Sequence, residues 1–236
     1  MKKIIFMLFV FFISKVGAQN VETFFEKANS FFNSHVENGK VAYAKIKSNQ
    51  KDLDELMDLA NKISVSEKNA KAYQAFWINA YNLSVIKGVV DHYPIKSPLD
   101  NAGFFDKTTY YLAGKPVTLN DIENKLLRAK FNEPRFHFVL VCGAIGCPPL
   151  INKAYMPDTL ELQLETQTKL ALNGNFLKIN EKKKLVEASE IMKWYKEDFT
   201  TDGKSEIDFI NKFKTDKIPN NYKLSYFPYD WNLNKQ

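Results

Sequence analysis

The chain has only two cysteines and three histidines among its 236 residues, and that scarcity narrows the chemistry before any motif is read. Two cysteines with one histidine nearby lack the paired spacings of a structural zinc site, and no Asp-rich loop suggests calcium. No metal and no cofactor is therefore expected. Gly-rich phosphate loops of Walker or Rossmann spacing are missing, and no Gly-x-Ser-x-Gly marks a serine nucleophile elbow. Pro/Gly/Ser-rich linkers, low-complexity tracts and internal repeats are missing as well, which favours one domain.

Long apolar runs are also lacking, except at the start. Met1-Lys2-Lys3 puts positive charge before the run Ile4 to Ile13, and Val16-Gly17-Ala18 offers the small residues that a signal peptidase accepts. Residues 1–18 are read as a cleaved export signal, with Gln19 opening the mature chain and residues 19–236 forming a single domain. The run is too short for a bilayer span, which takes roughly 20 apolar residues, so the expectation is a periplasmic or secreted protein with no integral membrane segment. Cleavage removes Lys2, Lys3 and Lys15 and no acid, lowering the formal net charge from +6 to +3. The remaining lysines are scattered among acids, which argues against a nucleic-acid partner.

What is present reads as α+β: a helical N-terminal half around a long central helix, packed on a small, mainly antiparallel sheet. Val21, Phe24, Phe25, Ala28, Phe31 and Phe32 recur at helical spacing over 20–36. A second amphipathic helix is expected over 52–62, and a long one over 67–92 that ends before Pro94. Tyr110-Tyr111-Leu112 and Pro116-Val117-Thr118 flank a turn at 113–115, the pattern of a hairpin. Asn120-x-x-Glu123 has capping-box spacing for a short helix over 121–128. Residues 135–142 read as the best strand, with Arg135, His137, Val139 and Val141 on one face. A loop over 143–156, a helix over 159–172, a hairpin over 176–187, helices over 190–197 and 205–213 and a final strand over 223–226 complete the pattern.

Both cysteines fall in one stretch, His137-Phe-Val-Leu-Val-Cys142-Gly-Ala-Ile-Gly-Cys147-Pro-Pro. Gly143 and Gly146 would let a substrate approach the backbone closely. Cys147 is the candidate nucleophile, since a base or positive potential can convert its thiol to thiolate. His137 is the candidate base, the only histidine within reach along the chain, and Glu123 the candidate group that orients it. Asn79 and Asn82, amides inside an apolar helix, are candidates for substrate binding together with Gly146. Each has a structural rival: a Cys142–Cys147 disulfide in an exported chain, a partly buried His137, a capping Glu123, and asparagines that bond a neighbouring loop.

The chain resembles the domain-of-unknown-function 547 family. The resemblance rests on Tyr73-Gln-Ala-Phe-Trp-Ile-Asn-Ala-Tyr-Asn82, Leu119-Asn-Asp-Ile-Glu123 with Leu127-Arg128, Arg135-Phe-His-Phe138, Cys142 through Cys147-Pro-Pro-Leu150, Trp194-Tyr-Lys-Glu-Asp-Phe199 and Tyr229-Asp-Trp-Asn-Leu-Asn234. It runs from about residue 70 to the C-terminus. It implies no settled activity, but it singles out the positions of Glu123, His137 and Cys147. The Gly143-Ala-Ile-Gly146 loop departs from the more polar, Ser/Arg-containing loop expected in relatives. Two functions follow as expectations: a thiol-dependent hydrolase or acyl transferase of the cell envelope using Cys147, His137 and Glu123, or a non-catalytic envelope module that binds a partner or glycan and is stapled by the Cys142–Cys147 bridge. Thiol redox exchange through the cysteine pair is a third, weaker option, because the spacing exceeds Cys-x-x-Cys.

Overall fold

A computed structural model describes residues 21–236; the expected export signal lies outside the described residues. Helix α1 (21–35) buries Phe24, Phe25, Ala28, Phe31 and Phe32, the stripe its spacing predicts. Removing four phenylalanines from water contributes on the order of 1.5–3 kcal/mol per ring, so the segment docks by aromatic packing. A short ribbon follows, β1 (Val36–Glu37) antiparallel to β2 (Lys40–Val41), then α2 (Tyr43–Ser48). The sequence pattern missed these pieces, which are too short for a period to show. Helix α3 (Lys51–Lys62) lays Leu53, Leu56 and Ala60 on the core.

Helix α4 (Ala70–His92) is the central element, started by Asn69, whose side chain accepts from the Ala72 amide. It is buried on nearly every face from Ala75 to Ile86, so it carries no amphipathic stripe, and its polar residues must be satisfied from inside the protein. The hairpin β3 (Thr109–Leu112) and β4 (Lys115–Thr118) turns at Ala113 and Gly114, with φ of 51° and 73°. Positive φ at both central positions is the geometry that two-residue hairpin loops need.

Residues Asp121–Arg128 form a π-helix. Asn120 makes no capping bond; instead Thr118 Oγ1 accepts from the Asp121 amide while Asp121 Oδ2 accepts from the Thr118 amide. The capping box expected at Asn120 and Glu123 is thus displaced to Thr118 and Asp121, which leaves the Glu123 carboxylate free of the helix terminus.

The largest correction concerns 135–142. The segment is not a strand: Pro134–Phe138 is a 3-10 helix, and the chain beyond it is irregular. Its apolar alternation reflects burial on two sides, with Phe136 and Val139 in one apolar cluster and Phe138 in another. The second cluster gathers α5 (Leu160–Asn173), the sheet β5 (Leu177–Asn180), β6 (Leu185–Ser189) and β7 (Lys223–Phe227), and the helices α6 (Glu190–Trp194), α7 (Lys196–Phe199) and α8 (Glu206–Phe213). Strand β6 pairs antiparallel with β5 and parallel with β7. The fold is α+β, helices with small sheets whose pairings are mainly antiparallel. Among the described residues no helix is long and apolar enough to cross a membrane.

Candidate functional site

The segment from Pro134 to Cys147 runs along the border of the two clusters, and Tyr229 packs against both. Its backbone is held by a side chain in place of a β-ladder. Asn82 Nδ2 donates to Val139 O at 3.0 Å, and Asn82 Oδ1 accepts from Val141 N at 2.9 Å. One turn earlier on α4, Asn79 does the same for Tyr155, donating to its carbonyl at 2.7 Å and accepting from its amide at 2.9 Å. Both asparagines are fully buried and have both ends of their amides engaged. The structure therefore places Asn79 and Asn82 beneath the site as splints, not in it.

The loop after Cys142 is tied to the C-terminal segment. Ile145 N donates to Asn232 O, Gly146 N to Asp230 O, and Asn234 N to Gly143 O, all between 2.8 and 2.9 Å. Gly146 does not line the cavity either; a Cβ there would stand 2.8 Å from the Tyr229 ring and 2.9 Å from the Asp230 amide nitrogen. Its lack of a side chain lets Tyr229 lie against the loop. Glu190 Oε2 accepts from the Tyr229 amide at 3.0 Å, and the Tyr229 hydroxyl stands 2.9 Å from Cys142 Sγ and 2.8 Å from Cys147 Sγ.

Those two sulfurs are joined in a disulfide, and no cysteine is free. The free Cys147 thiol that a nucleophile requires is withdrawn in this state. Closing so short a loop adds about 2 kcal/mol by chain entropy, a small gain for a loop already tied by backbone hydrogen bonds. Cys147 Sγ also accepts from the Cys142 amide at 2.9 Å.

His137 sits on the 3-10 turn, 4% exposed. Its ring stacks on Tyr195 with centroids 4.0 Å apart, and its Nε2 lies 2.6 Å from Asp198 Oδ2. Arg128 grips the same carboxylate with two prongs, Nε to Oδ2 at 2.7 Å and Nη2 to Oδ1 at 2.9 Å. Burial works against ionising Asp198, but the hydrogen bonds from His137 and Arg128 outweigh it and hold the carboxyl well below the usual range. An ionised carboxylate only accepts, so Nε2 carries a proton and donates to Asp198. The carboxylate that orients His137 is thus Asp198 and not Glu123. Sequence reasoning missed Asp198, although it lies in the word Trp194 to Phe199; its contact spans 61 residues, and no local spacing reports that.

Glu123 stands elsewhere in the same space, facing the Tyr195 hydroxyl. Burial first, then the charge and hydrogen bond of Glu123, push the Tyr195 phenol up. The Tyr81 and Tyr229 phenols are raised as well, by burial foremost and by Glu123 among the smaller causes. All three hydroxyls stay protonated at neutral pH and serve as donors.

Glu123, His137, Cys142 and Cys147 line one solvent-reachable cavity of about 320 Å³. Three of the residues expected to act together therefore do meet. Aromatic rings make up much of the wall: Trp194, Tyr229 and Trp231 form a cluster with centroids 4.7 to 6.0 Å apart, and Phe105 reaches Trp231 at 6.2 Å. Trp194 is 46% exposed, so an apolar ring face is offered to solvent at the cavity mouth. Among the described residues no group of three or more His, Cys, Asp or Glu side chains stands ready to hold a metal ion.

Residues 65–170 match the family model described as "Protein of unknown function, DUF547". The words at Trp194–Phe199 and Tyr229–Asn234 fall outside that stretch. No curated protein and no solved structure matches the chain.

Proposed function

As a member of the domain-of-unknown-function 547 family, the chain takes no activity from that membership, and we propose from the cavity itself that it is an exported binding module for a saccharide unit. The observation that carries this reading is the ring cluster Trp194, Tyr229 and Trp231 at the mouth of a cavity whose wall also holds Asn120 and Glu123. Sugar rings stack their C–H faces on aromatic side chains, and amide and carboxylate groups take their hydroxyls; an amphipathic ring with a few placed polar groups is the usual form of such a site. The joined Cys142 and Cys147 fit this reading, because a binding wall needs no thiolate. The setting is the periplasm or the exterior, where a bridge persists.

The test uses a chitin trisaccharide as probe. Two of the three tryptophans line the cavity, while Trp77 is buried in the core, so ligand entry reads out as a change in intrinsic fluorescence. Saturable change in the wild type and its weakening in Trp194→Ala support the reading. No change with this sugar or with maltose and cellobiose oligomers at millimolar concentration overturns it.

A second reading is favoured by one specific observation, that Cys147, His137 and Glu123 line one cavity. In the reduced protein, Cys147 would act as nucleophile of a hydrolase or acyl transferase, His137 as base, and Glu123 as a polar group toward the substrate. Iodoacetamide labelling of Cys147 after reduction, faster in wild type than in His137→Ala, supports it; equal rates remove His137 as base.

A further inference from the structure

The bridge is placed where a purely structural staple has no reason to be. Both sulfurs line the solvent-reachable cavity, and the loop between them is held without the bridge by the backbone bonds of Gly143, Ile145 and Gly146 to the C-terminal segment. The two sulfurs are also unequal. Cys147 Sγ accepts from the Cys142 amide at 2.9 Å, a donor that Cys142 Sγ lacks, while the Tyr229 hydroxyl, with one hydrogen to give, stands 2.8 Å from Cys147 Sγ and 2.9 Å from Cys142 Sγ. Cys147 is the more buried of the pair; Cys142 is partly open.

A disulfide sulfur is a weak acceptor and a thiolate a strong one, because hydrogen bonds to ionised groups are roughly twice as strong as neutral ones. Donors aimed at a disulfide therefore gain their full worth when the bridge opens. In exchange, the sulfur that leaves is the one better stabilised as thiolate, and the sulfur attacked is the one a thiol can reach. Both criteria select the same direction here.

We propose that the Cys142–Cys147 bridge is a redox couple that oxidises a small thiol entering the aromatic cavity, with Cys142 the sulfur attacked and Cys147 the sulfur released. The incoming thiolate forms a bond to Cys142 Sγ as the Sγ–Sγ bond breaks, and that bond's electron pair goes to Cys147, where the Cys142 amide and Tyr229 hydroxyl receive it. A second thiolate attacks the substrate sulfur of the mixed disulfide and releases Cys142. Two thiols lose two electrons and become a disulfide; the protein gains two electrons, and the protons the thiols lost are those its two cysteines take up. Tyr229 remains a donor throughout, since burial first, and the negative groups near it after that, keep its phenol protonated. Glu123 and His137 share the cavity, so an incoming thiol passes groups that can bond its polar substituents.

The experiment reduces the native bridge with glutathione in one arm and a cysteine-containing peptide in the other, quenches with acid, alkylates and locates each adduct by mass spectrometry. Expected are a glutathione adduct on Cys142 with alkylated Cys147, and a rate roughly tenfold above that of the same chain unfolded in urea, the worth of about one hydrogen bond to a charged group. Tyr229→Phe, which keeps the ring and its packing, loses most of that advantage. A faster glutathione arm supports a small thiol as the substrate, and a faster peptide arm overturns that assignment. Adducts on Cys147, a folded rate at or below the unfolded one, or a Tyr229→Phe rate equal to wild type each overturn the proposal. None of these readouts depends on sugar binding, so the two proposals fail separately.

Discussion

Replacing Asn82 by leucine removes the one side chain that stands in for a strand partner beneath the site. Leucine has the same number and branching of side-chain heavy atoms as asparagine, so the dominant loss is polar. Val139 O loses its donor and Val141 N loses its acceptor, at positions 0% and 3% exposed, where water does not substitute. Leaving a buried backbone group bare costs about 1–3 kcal/mol, and two groups together about 4 kcal/mol. That is a large part of the 5–15 kcal/mol that ordinarily separates folded from unfolded chains. In urea unfolding, with a slope of about 3 kcal/mol/M, the midpoint falls by roughly 1.3 M at unchanged slope. Asn79→Leu bares Tyr155 in the same way and costs a similar amount, yet it leaves the approach to Cys142 intact. Only Asn82→Leu should therefore also change the rate at which glutathione opens the bridge. An Asn82→Leu protein within ~1 kcal/mol of wild type would refute the idea that this amide holds the segment.

Trp194→Ala weakens binding of the chitin trisaccharide by roughly 2- to 10-fold, the worth of one stacked aromatic contact, measured by fluorescence titration through Trp231. Gly146→Ala pushes a methyl to within 2.8 Å of the Tyr229 ring; it costs about 1–3 kcal/mol by overpacking and, by moving the hydroxyl off the sulfurs, slows reduction of the bridge. Asp198→Asn is less stable than wild type at pH 7 by about 2 kcal/mol, below the full value of a buried pair because the carboxylate is a quarter exposed. The sign with pH follows from the lowered carboxyl: the unfolded chain takes up this proton first, so the contribution is whole above about pH 4 and is lost as the solution becomes more acid. The gap between wild type and Asp198→Asn in chemical unfolding closes on acidification; a gap independent of pH removes the carboxylate from that role.

How legible the protein was in its sequence depended on the range of the interactions. Helices α1 and α3 carry apolar residues on one face, and their spacing located them within a residue or two, as did the turn residues for the β3–β4 hairpin. Helix α4 was found from its length and from Pro94. Residues 135–142 were misread because alternation signals a strand only when the two faces see different surroundings, whereas here Phe136, Phe138 and Val139 are all buried. What replaces the ladder is Asn82, 57 and 59 residues away, a pairing no local pattern carries. Cys147 and His137 stood out because cysteine and histidine are scarce in this chain, and Glu123 because the family resemblance singles out its position, but that the three share one cavity is a matter of tertiary placement; Asp198 and Tyr229, ordinary residues in polar stretches, had to be found by their contacts.

The cavity is placed by a conflict between packing and polarity. Phe136 and Phe138 point into different apolar clusters, so the residue between them, His137, is left at the seam. An imidazole buried there needs a partner, and the partner comes from the opposite side: Asp198 from α7, itself neutralised by Arg128 from the π-helix. Those side chains tie the two clusters together across the seam. The same division separates the chemistry. Glu123, His137, Cys142 and Cys147 come from the stretch that matches the family model, whereas Trp194, Tyr195, Tyr229 and Trp231 come from beyond it. Reactive groups and ring wall therefore belong to different parts of the chain, and Tyr229 alone serves both, its ring in the aromatic cluster and its hydroxyl on the sulfurs. A ligand that stacks on this ring rests on the residue that controls the bridge, so occupancy of the cavity and the reactivity of the cysteine pair are coupled through one side chain.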